Sequence, residues 1–499
     1  MAVAQMEAID IAINTVSNPY NFLLILAAVI LGMFMGMLPG MGGTITLALL
    51  IPLTYTFEPV VAFMVLAAAL GGTNFGGSVS AILINTPGSA PNAATLLDGY
   101  PMTRNGEGGR AITASAVSSA AGAIFGLLIF VLSLPILREI IVLFGPPEIF
   151  WLGMWGLTVI AIIIKGDMTS GLISASLGLI FAIHGLNAIT ANERWTYGAV
   201  EMLDGIQLIP ALIGLFAVAE MIKLVSEGEN ASRGNADATS GKLQGFKDVF
   251  ANKFLFIRSS IVGGIIGIIP GVGGAAANYV AYFQAMQTEP DSEKFGTGDV
   301  RGVIASEASN DAKDGTGLLP TLGLGIPGSA SMAVLLGAFI LHGITPGPML
   351  IEENFDIVTI IVAALLISNV LTSTIGILLS DKLAVVTRLD PRILAPVILI
   401  VSFFGTYAMN NVVFQIWVTL LFGLLGYVMI KLDISRVPMI LAMVLGPIVE
   451  DNFFRALQIS GSEYGIFFDS YTSLIFIALI GISLFLPYIR VFVRNRVIA

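Results

Sequence analysis

Cysteine is absent from the 499 residues, so no disulfide, thiolate nucleophile or Cys-based metal site enters the reading. Charge is scarce too: Asp, Glu, Lys and Arg together make up 11% of the chain, and no Lys or Arg precedes Arg104. The two histidines, His184 and His342, belong to no ligand pattern and read as structural. There is no H-E-x-x-H, no G-x-S-x-G elbow and no Walker A spacing, which leaves an enzyme or an ATPase without a motif to stand on. The formal net charge of -10 lies mostly in loops and argues against a nucleic-acid partner, which would want a basic patch. The N-terminus lacks the basic stretch and early cleavage site of a secretory signal, so the first apolar run is expected to stay as a helix.

Apolar residues dominate instead. At 56% hydrophobic and a mean hydropathy of +0.91, the chain is far more apolar than a soluble domain of its length. Stretches 22–38, 206–224, 357–380, 412–430 and 471–489 are each long enough to cross a bilayer. Counting shorter or interrupted runs, roughly a dozen membrane segments are expected. The fold class is therefore an all-α integral membrane protein.

Two polar breaks interrupt these apolar surroundings: Asn85-Thr86-Pro87-Gly88-Ser89-Ala90 and Ile326-Pro327-Gly328-Ser329-Ala330. A Pro-Gly pair stops a helix where lipid offers the backbone no partner. A helix restarting there leaves its first N–H groups unpaired and its positive dipole end exposed, which suits a carboxylate. A second pattern, G-x-x-x-G-x-x-P-G-x-G-G, runs through Gly32, Gly36, Pro39, Gly40, Gly42 and Gly43, and recurs 231 positions later through Gly263, Gly267, Pro270, Gly271, Gly273 and Gly274. Small residues four apart serve close helix packing, whereas the Pro-Gly-x-Gly-Gly tail is a poor helix interior and points to a broken or re-entrant segment.

The repeat divides the chain into two halves of similar plan. Residues 1–225 form the first, 226–253 a polar cytoplasmic linker, and 254–499 the second, ending in ordinary scaffold helices. Lys242, Lys247, Lys253 and Arg258 precede the second glycine motif, and Arg490, Arg494 and Arg496 close the chain. Positive charge favours the cytoplasm, so the halves are expected in inverted topology with the C-terminus inside the cell.

The breaks supply the expected substrate residues: Asn85, Thr86, Pro87, Gly88, Ser89, Pro327, Gly328 and Ser329, with Asn310 lining the same site. Neutral oxygens and carbonyls freed by unwound helix suit a coupling cation, sodium or a proton, expected near Gly40, Asn74 and Gly271. The charged stretch around Glu307, Asp311, Lys313 and Asp314 reads as a solvated surface loop, with a loop descending into a polar cavity as the alternative. Arg194 reads as a solvated loop arginine and Glu220 as a snorkelling residue near a helix end.

Gly36-Met-Leu-Pro39-Gly-Met-Gly-Gly43, Asn85-Thr-Pro-Gly-Ser89, Leu97-Asp-Gly-Tyr-Pro101, Arg194-Trp-Thr-Tyr-Gly198, Asp204-Gly-Ile-Gln-Leu-Ile-Pro210 and Pro320-Thr-Leu-Gly-Leu-Gly-Ile-Pro-Gly-Ser329 resemble the large membrane subunit of tripartite tricarboxylate transporters, the TctA family. The resemblance implies a multi-pass protein of the bacterial cytoplasmic membrane. It implies two partners: a small membrane subunit of a few helices and a periplasmic substrate-binding protein. The implied substrate is citrate or another small carboxylate, with uptake driven by an ion gradient and no cofactor or ATP. Asn310-Asp311 departs from the family's Asn-Asn pattern, which puts an acid where a polyanion site would not want one.

The sequence thus reads as an ion-coupled secondary transporter subunit. An elevator motion is favoured over rocking by analogy with other carboxylate carriers of paired broken hairpins. The competing readings are a stand-alone sodium–carboxylate symporter and an anion channel.

Overall fold

The computed structural model describes every residue except 1, 39, 142, 164–167, 188–191, 228–239, 271–272, 387–390 and 498–499. Among the described residues the chain is a succession of helices, with one strand pair, Gly185–Leu186 against Glu193–Arg194. Helices satisfy their own backbone polar groups, which lipid cannot do for them.

Seven helices among the described residues are long and apolar enough to cross a membrane: Pro19–Met37, Pro59–Ile84, Gly108–Leu137, Leu208–Ser226, Phe355–Ser380, Phe414–Lys431 and Val437–Ile459. An eighth arises if Lys242–Ala251 and Lys253–Ile268, bent by 76°, count as one. The chain is a multi-pass membrane protein. The dozen segments read from sequence include shorter and interrupted runs, and among the described residues several apolar runs do fold as short helices, among them Gly43–Thr54 and Ala330–Leu341. A helix of 12 residues reaches only about 18 Å, against about 30 Å of hydrocarbon. Both of these lie directly after a glycine-rich turn or a Pro-Gly break, which is what shortens them.

Ten helices form two parallel series. The first is α1 (Pro19–Met37), α2 (Gly43–Thr54), α3 (Pro59–Ile84), α4 (Ala93–Arg104) and α5 (Gly108–Ile141). The second is α6 (Lys253–Ile268), α7 (Gly273–Thr288), α8 (Val300–Leu318), α9 (Ala330–Leu341) and α10 (Phe355–Val386). α1 opens on Pro19 with the Asn18 side chain accepting from Tyr20 N at 2.9 Å, and it ends where Leu38 turns extended. α6 ends the same way at Ile269. Gly40 then takes φ +77°, a conformation open to glycine without strain.

The shared spacing of small residues in the two motifs has a packing cause. A Cβ on Gly32 or Gly36 of α1 would strike the carbonyl oxygen of Ala69 or Thr73 on α3; on Gly263 or Gly267 of α6 it would strike that of Ser309 or Lys313 on α8. Backbone meets backbone at both crossings. The halves also exchange partners. α3 packs on α10, where Gly71 faces Ser368 and Gly376 faces Phe75, while α8 packs on α5, where Gly122 and Gly126 face the backbone at Ala308 and Ala312. Phe63 of α3 stacks on Phe339 of α9, ring centroids 4.0 Å apart.

The glycine motif and the break are 57 positions apart in the second half and 48 in the first. The surplus is shared between a longer α7 and the loop before α8, and that loop clasps α4. Buried Asp98 accepts from the backbone N–H of Gly296, Gly298 and Asp299 at 2.8, 2.9 and 2.9 Å, and from Tyr282 OH at 2.8 Å. Asp98→Ala orphans three backbone donors, so it is expected to cost about 2–4 kcal/mol, read as a lowered thermal-unfolding midpoint in detergent. An unchanged midpoint would show the clasp to be energetically idle.

The stretch read as a linker is helical toward its end. Lys242–Ala251 packs on α5, where Arg110 Nε donates to Asp248 Oδ2 at 2.6 Å.

Candidate substrate and ion site

The two breaks are built alike. α3 ends at Asn85 in the left-handed conformation, φ +59°, and Thr86 N donates to Ser80 O at 3.4 Å. In the second half Ile326 N donates to Pro320 O at 2.9 Å. Donors and acceptors in the two halves are offset by the same 240 positions that separate Asn74 from Asp314, Ala69 from Ser309 and Gly88 from Gly328. Gly88 N then returns to Gly77 O at 3.3 Å, whereas Gly328 N donates to Thr321 Oγ1 at 3.2 Å, and that hydroxyl donates to Gly317 O at 2.6 Å. The threonine sits in a π-helical turn, Leu319–Gly323, whose wider ring opens α8's end toward the break.

Beyond the breaks the two halves differ. Ser329 caps α9, its Oγ accepting from Met332 N at 3.3 Å, while its proton stays free to donate. Ser89 leads instead into a 3-10 turn, Ala90–Asn92, and donates to Asn92 Oδ1 at 2.6 Å.

α8 is where the structure departs most from the sequence reading. Glu307, Asp311, Lys313 and Asp314 lie on a helix, not in a solvated loop, with the first three at 0, 2 and 6% exposure. Their partners come from the first half. Asn74 Nδ2 donates to Asp311 Oδ1 at 2.9 Å and to Asp314 Oδ2 at 2.5 Å. Ser119 bonds the other Asp311 oxygen, Ser78 donates to Glu307 Oε1 at 2.7 Å, and Thr95 bonds that same oxygen. Asn92 Nδ2 ties the group together, donating to Asn74 O at 3.0 Å and Ser78 Oγ at 2.8 Å. Lys313 pairs with Asp314.

One polar chain therefore runs from Ser89 through Asn92, Asn74 and Asp314 to Lys313. It ends at a small cavity lined by Gly267, Lys313, Asp314, Gly317, Gly328 and Ser329. A second cavity is lined by Gly71, Asn74, Asp311, Asp314 and Asn369. The breaks also lean on the opposite half: Asn278 of α7 donates to Pro91 O at 2.9 Å, and Thr44 of α2 lies 3.3 Å from Ser331 Oγ.

Of the residues singled out in the sequence, Gly88, Ser89, Asn74, Asn310, Pro327, Gly328 and Ser329 fall within this neighbourhood. Asn85 is exposed as a helix cap, Thr86 bonds Ile84 O at 3.2 Å, and Pro87 is half-buried beside them. Gly40 lies against the Glu220 carboxylate, and Gly271 lies outside the described residues. Glu220 does not snorkel: it bridges Lys223 at 3.4 Å and Arg436 at 3.3 Å. Arg194 is held by Glu450 through two hydrogen bonds, 2.5 and 3.1 Å. Asn92, Thr95 and Ser119 were not singled out at all. The spacing of Glu307, Asp311 and Asp314, four then three, is the helical signal that marks them as one face.

Residues 22–441 match the Tripartite tricarboxylate transporter TctA family. The chain belongs to that family. It is a TctA-family membrane transporter subunit, and the family is one of transporters, not enzymes. Two proteins of Agrobacterium vitis are similar along the sequence. An uncharacterized 52.8 kDa protein in the TAR-I ttuC' 3' region is 32% identical over 461 residues, covering 92% of this chain and 91% of that protein. An uncharacterized protein in the TAR-II ttuC' 3' region is 34% identical over 222 residues, covering 44% of this chain and 90% of that protein. No solved structure matches.

Proposed function

We propose that this TctA-family subunit imports a small carboxylate across the bacterial cytoplasmic membrane, coupled to inward flow of sodium or protons. The substrate arrives from a periplasmic binding protein, and a small membrane subunit completes the complex. The observation that carries this reading is the cavity where the Lys313 ammonium, the Ser329 hydroxyl and the start of α9 converge. A carboxylate there meets a cation, a hydroxyl donor and a helix's positive end. Ser89 offers a second hydroxyl along the polar chain.

Charge supports the coupling. Glu307, Asp311 and Asp314 oppose Lys313 alone in this group, so an entering polyanion faces net negative charge unless cations enter with it. Residues offset by 240 positions also meet each other, Asn74 touching Asp314, as happens only near a two-fold axis. That contact supports two halves related by a two-fold, and with the charge bias it favours inverted repeats and an elevator-type exchange.

Uptake of labelled citrate and a dicarboxylate panel into vesicles tests the proposal, with the small subunit present, the binding protein added or omitted, and ion gradients imposed or collapsed. Uptake needing both the binding protein and a gradient is expected. Gradient-driven uptake without the binding protein favours a stand-alone symporter, and downhill flux indifferent to gradients favours a channel. Ser89→Leu combined with Ser329→Leu is expected to reduce uptake to background while the protein still reaches the membrane; normal uptake by that variant would sink the assignment of both serines.

A further inference from the structure

α7 and α8 pack side by side in opposite sense. Gly274 of α7 lies against Lys313 of α8, and Tyr282 lies against Gly302. Asn278, midway between Gly274 and Tyr282, is therefore set opposite the stretch 306–310, where Asn310 comes one turn after Glu307. The turn Ala90–Asn92 adjoins both helices: Asn278 donates to Pro91 O, and Glu307 accepts from Thr95 and from Ser78, the hydroxyl that Asn92 also bonds.

On these facing stretches four polar atoms have no hydrogen-bond partner among the described residues: Glu307 Oε2, Asn278 Oδ1 and both amide atoms of Asn310. All three residues are 0% exposed. The Ser115 hydroxyl lies beside the Glu307 carboxylate, close enough to lean on it, and makes no fully formed hydrogen bond among the described residues. Buried polar groups are nearly always paired, and each orphan asks for an occupant. The neighbouring carboxylates differ, since Asp311 and Asp314 are both engaged by Asn74, with Ser119 and Lys313 as further partners.

We infer that Glu307, Asn278 and Asn310 form a sodium site beside the first break, and that this is where the coupling ion of the proposed transport reaction binds. Three considerations select the ion. A proton on Glu307 gives Oε2 one donor to share with a single asparagine oxygen and leaves the other asparagine oxygen unpaired. A water satisfies the amides but leaves a buried carboxylate uncompensated, which membrane depth penalises heavily. A monovalent hard cation takes Oε2 and the two Oδ1 atoms as oxygen ligands and cancels the charge at once. The inference rests on the ion-coupled reading, yet its site lies apart from the Lys313–Ser329 cavity. Sodium bound there bridges α7 to α8 and steadies the turn that carries Ser89.

The test is equilibrium binding of radioactive sodium to the purified chain in detergent without substrate, alongside thermal unfolding in sodium chloride and in choline chloride of equal strength. Saturable binding and a sodium-specific rise in unfolding midpoint are expected. Asn278→Ala and Asn310→Ala are each expected to weaken sodium affinity at least tenfold. Should they fold poorly, Asn278→Ser, which keeps an oxygen, is expected to fold and to bind sodium with intermediate affinity. Absence of sodium binding overturns the site; if uptake nonetheless depends on a proton gradient, ion coupling stands with Glu307 as a protonating group. Sodium binding that survives both asparagine substitutions places the ion elsewhere and also overturns the inference.

Discussion

Lys313→Gln is expected to lower uptake at least about a hundredfold. The Lys313 side chain is 7% exposed and pairs with Asp314, so its loss strands a half-buried carboxylate, a change that costs at most the roughly 3–5 kcal/mol of a fully buried pair. It also removes the positive charge at the cavity where a substrate carboxylate is proposed to sit. The two effects separate with a charge-balanced partner. Lys313→Gln with Asp314→Asn leaves no stranded charge and keeps a polar group for Asn74, so folded yield and unfolding midpoint are expected to recover while uptake does not. Wild-type uptake by the double variant would show that Lys313 serves structure alone.

The second large effect is steric and differs between equivalent positions. A single methyl on Gly88 meets the carbonyl of Gly36 and lies 2.6 Å from Gly77 Cα, and neither neighbour is a side chain that can swing away. Overpacking of this kind typically costs about 1–3 kcal/mol. With backbone on both sides, Gly88→Ala is expected at the top of that range, about 3 kcal/mol, and Gly88→Leu is expected to yield no folded protein. Gly328, offset by 240 positions, has Gly317 Cα and Gly267 O at 3.4 Å, ordinary contact distance. Gly328→Ala is therefore expected to fold within about 1 kcal/mol of the parent. Size-exclusion profiles and unfolding midpoints of the two alanine variants decide it, and equal losses would refute the packing account.

The breaks and glycine turns were legible because proline and glycine act locally: whatever the tertiary context, Pro87-Gly88 and Pro327-Gly328 end a helix. The long spans at 22–38 and 357–380 were legible from hydropathy, within a few residues of Pro19–Met37 and Phe355–Ser380. α8 was misplaced for the same reason. A hydropathy reading sends Glu307-Ala-Ser-Asn-Asp-Ala-Lys-Asp to water, and only the partners, Asn74, Ser78, Thr95 and Ser119, make burial tolerable. Those partners are single polar residues of the first half, far from α8 along the chain, and no spacing rule links them to it. Asn92 shows the limit most clearly. One asparagine three residues after Ser89 carries no local signal, yet it joins the break to α3.

Asn74 and Asp314 occupy matching places in the two series and touch. In an ancestor assembled from two identical copies, that place would have faced its own twin. Two aspartates would have repelled one another there, and two asparagines would have brought no charge to the centre of the molecule. On the proposed two-fold, joining the copies in one chain removes the compulsion to match and leaves one position free to be the donor and the other the acid. The loop before α8 clasps Asp98, a contact that the short link between Thr54 and Pro59 in the first series has no room to return. On that proposal, divergence at the axis turns a self-complementary seam into a polarised one, a route closed to any transporter that still assembles from identical halves.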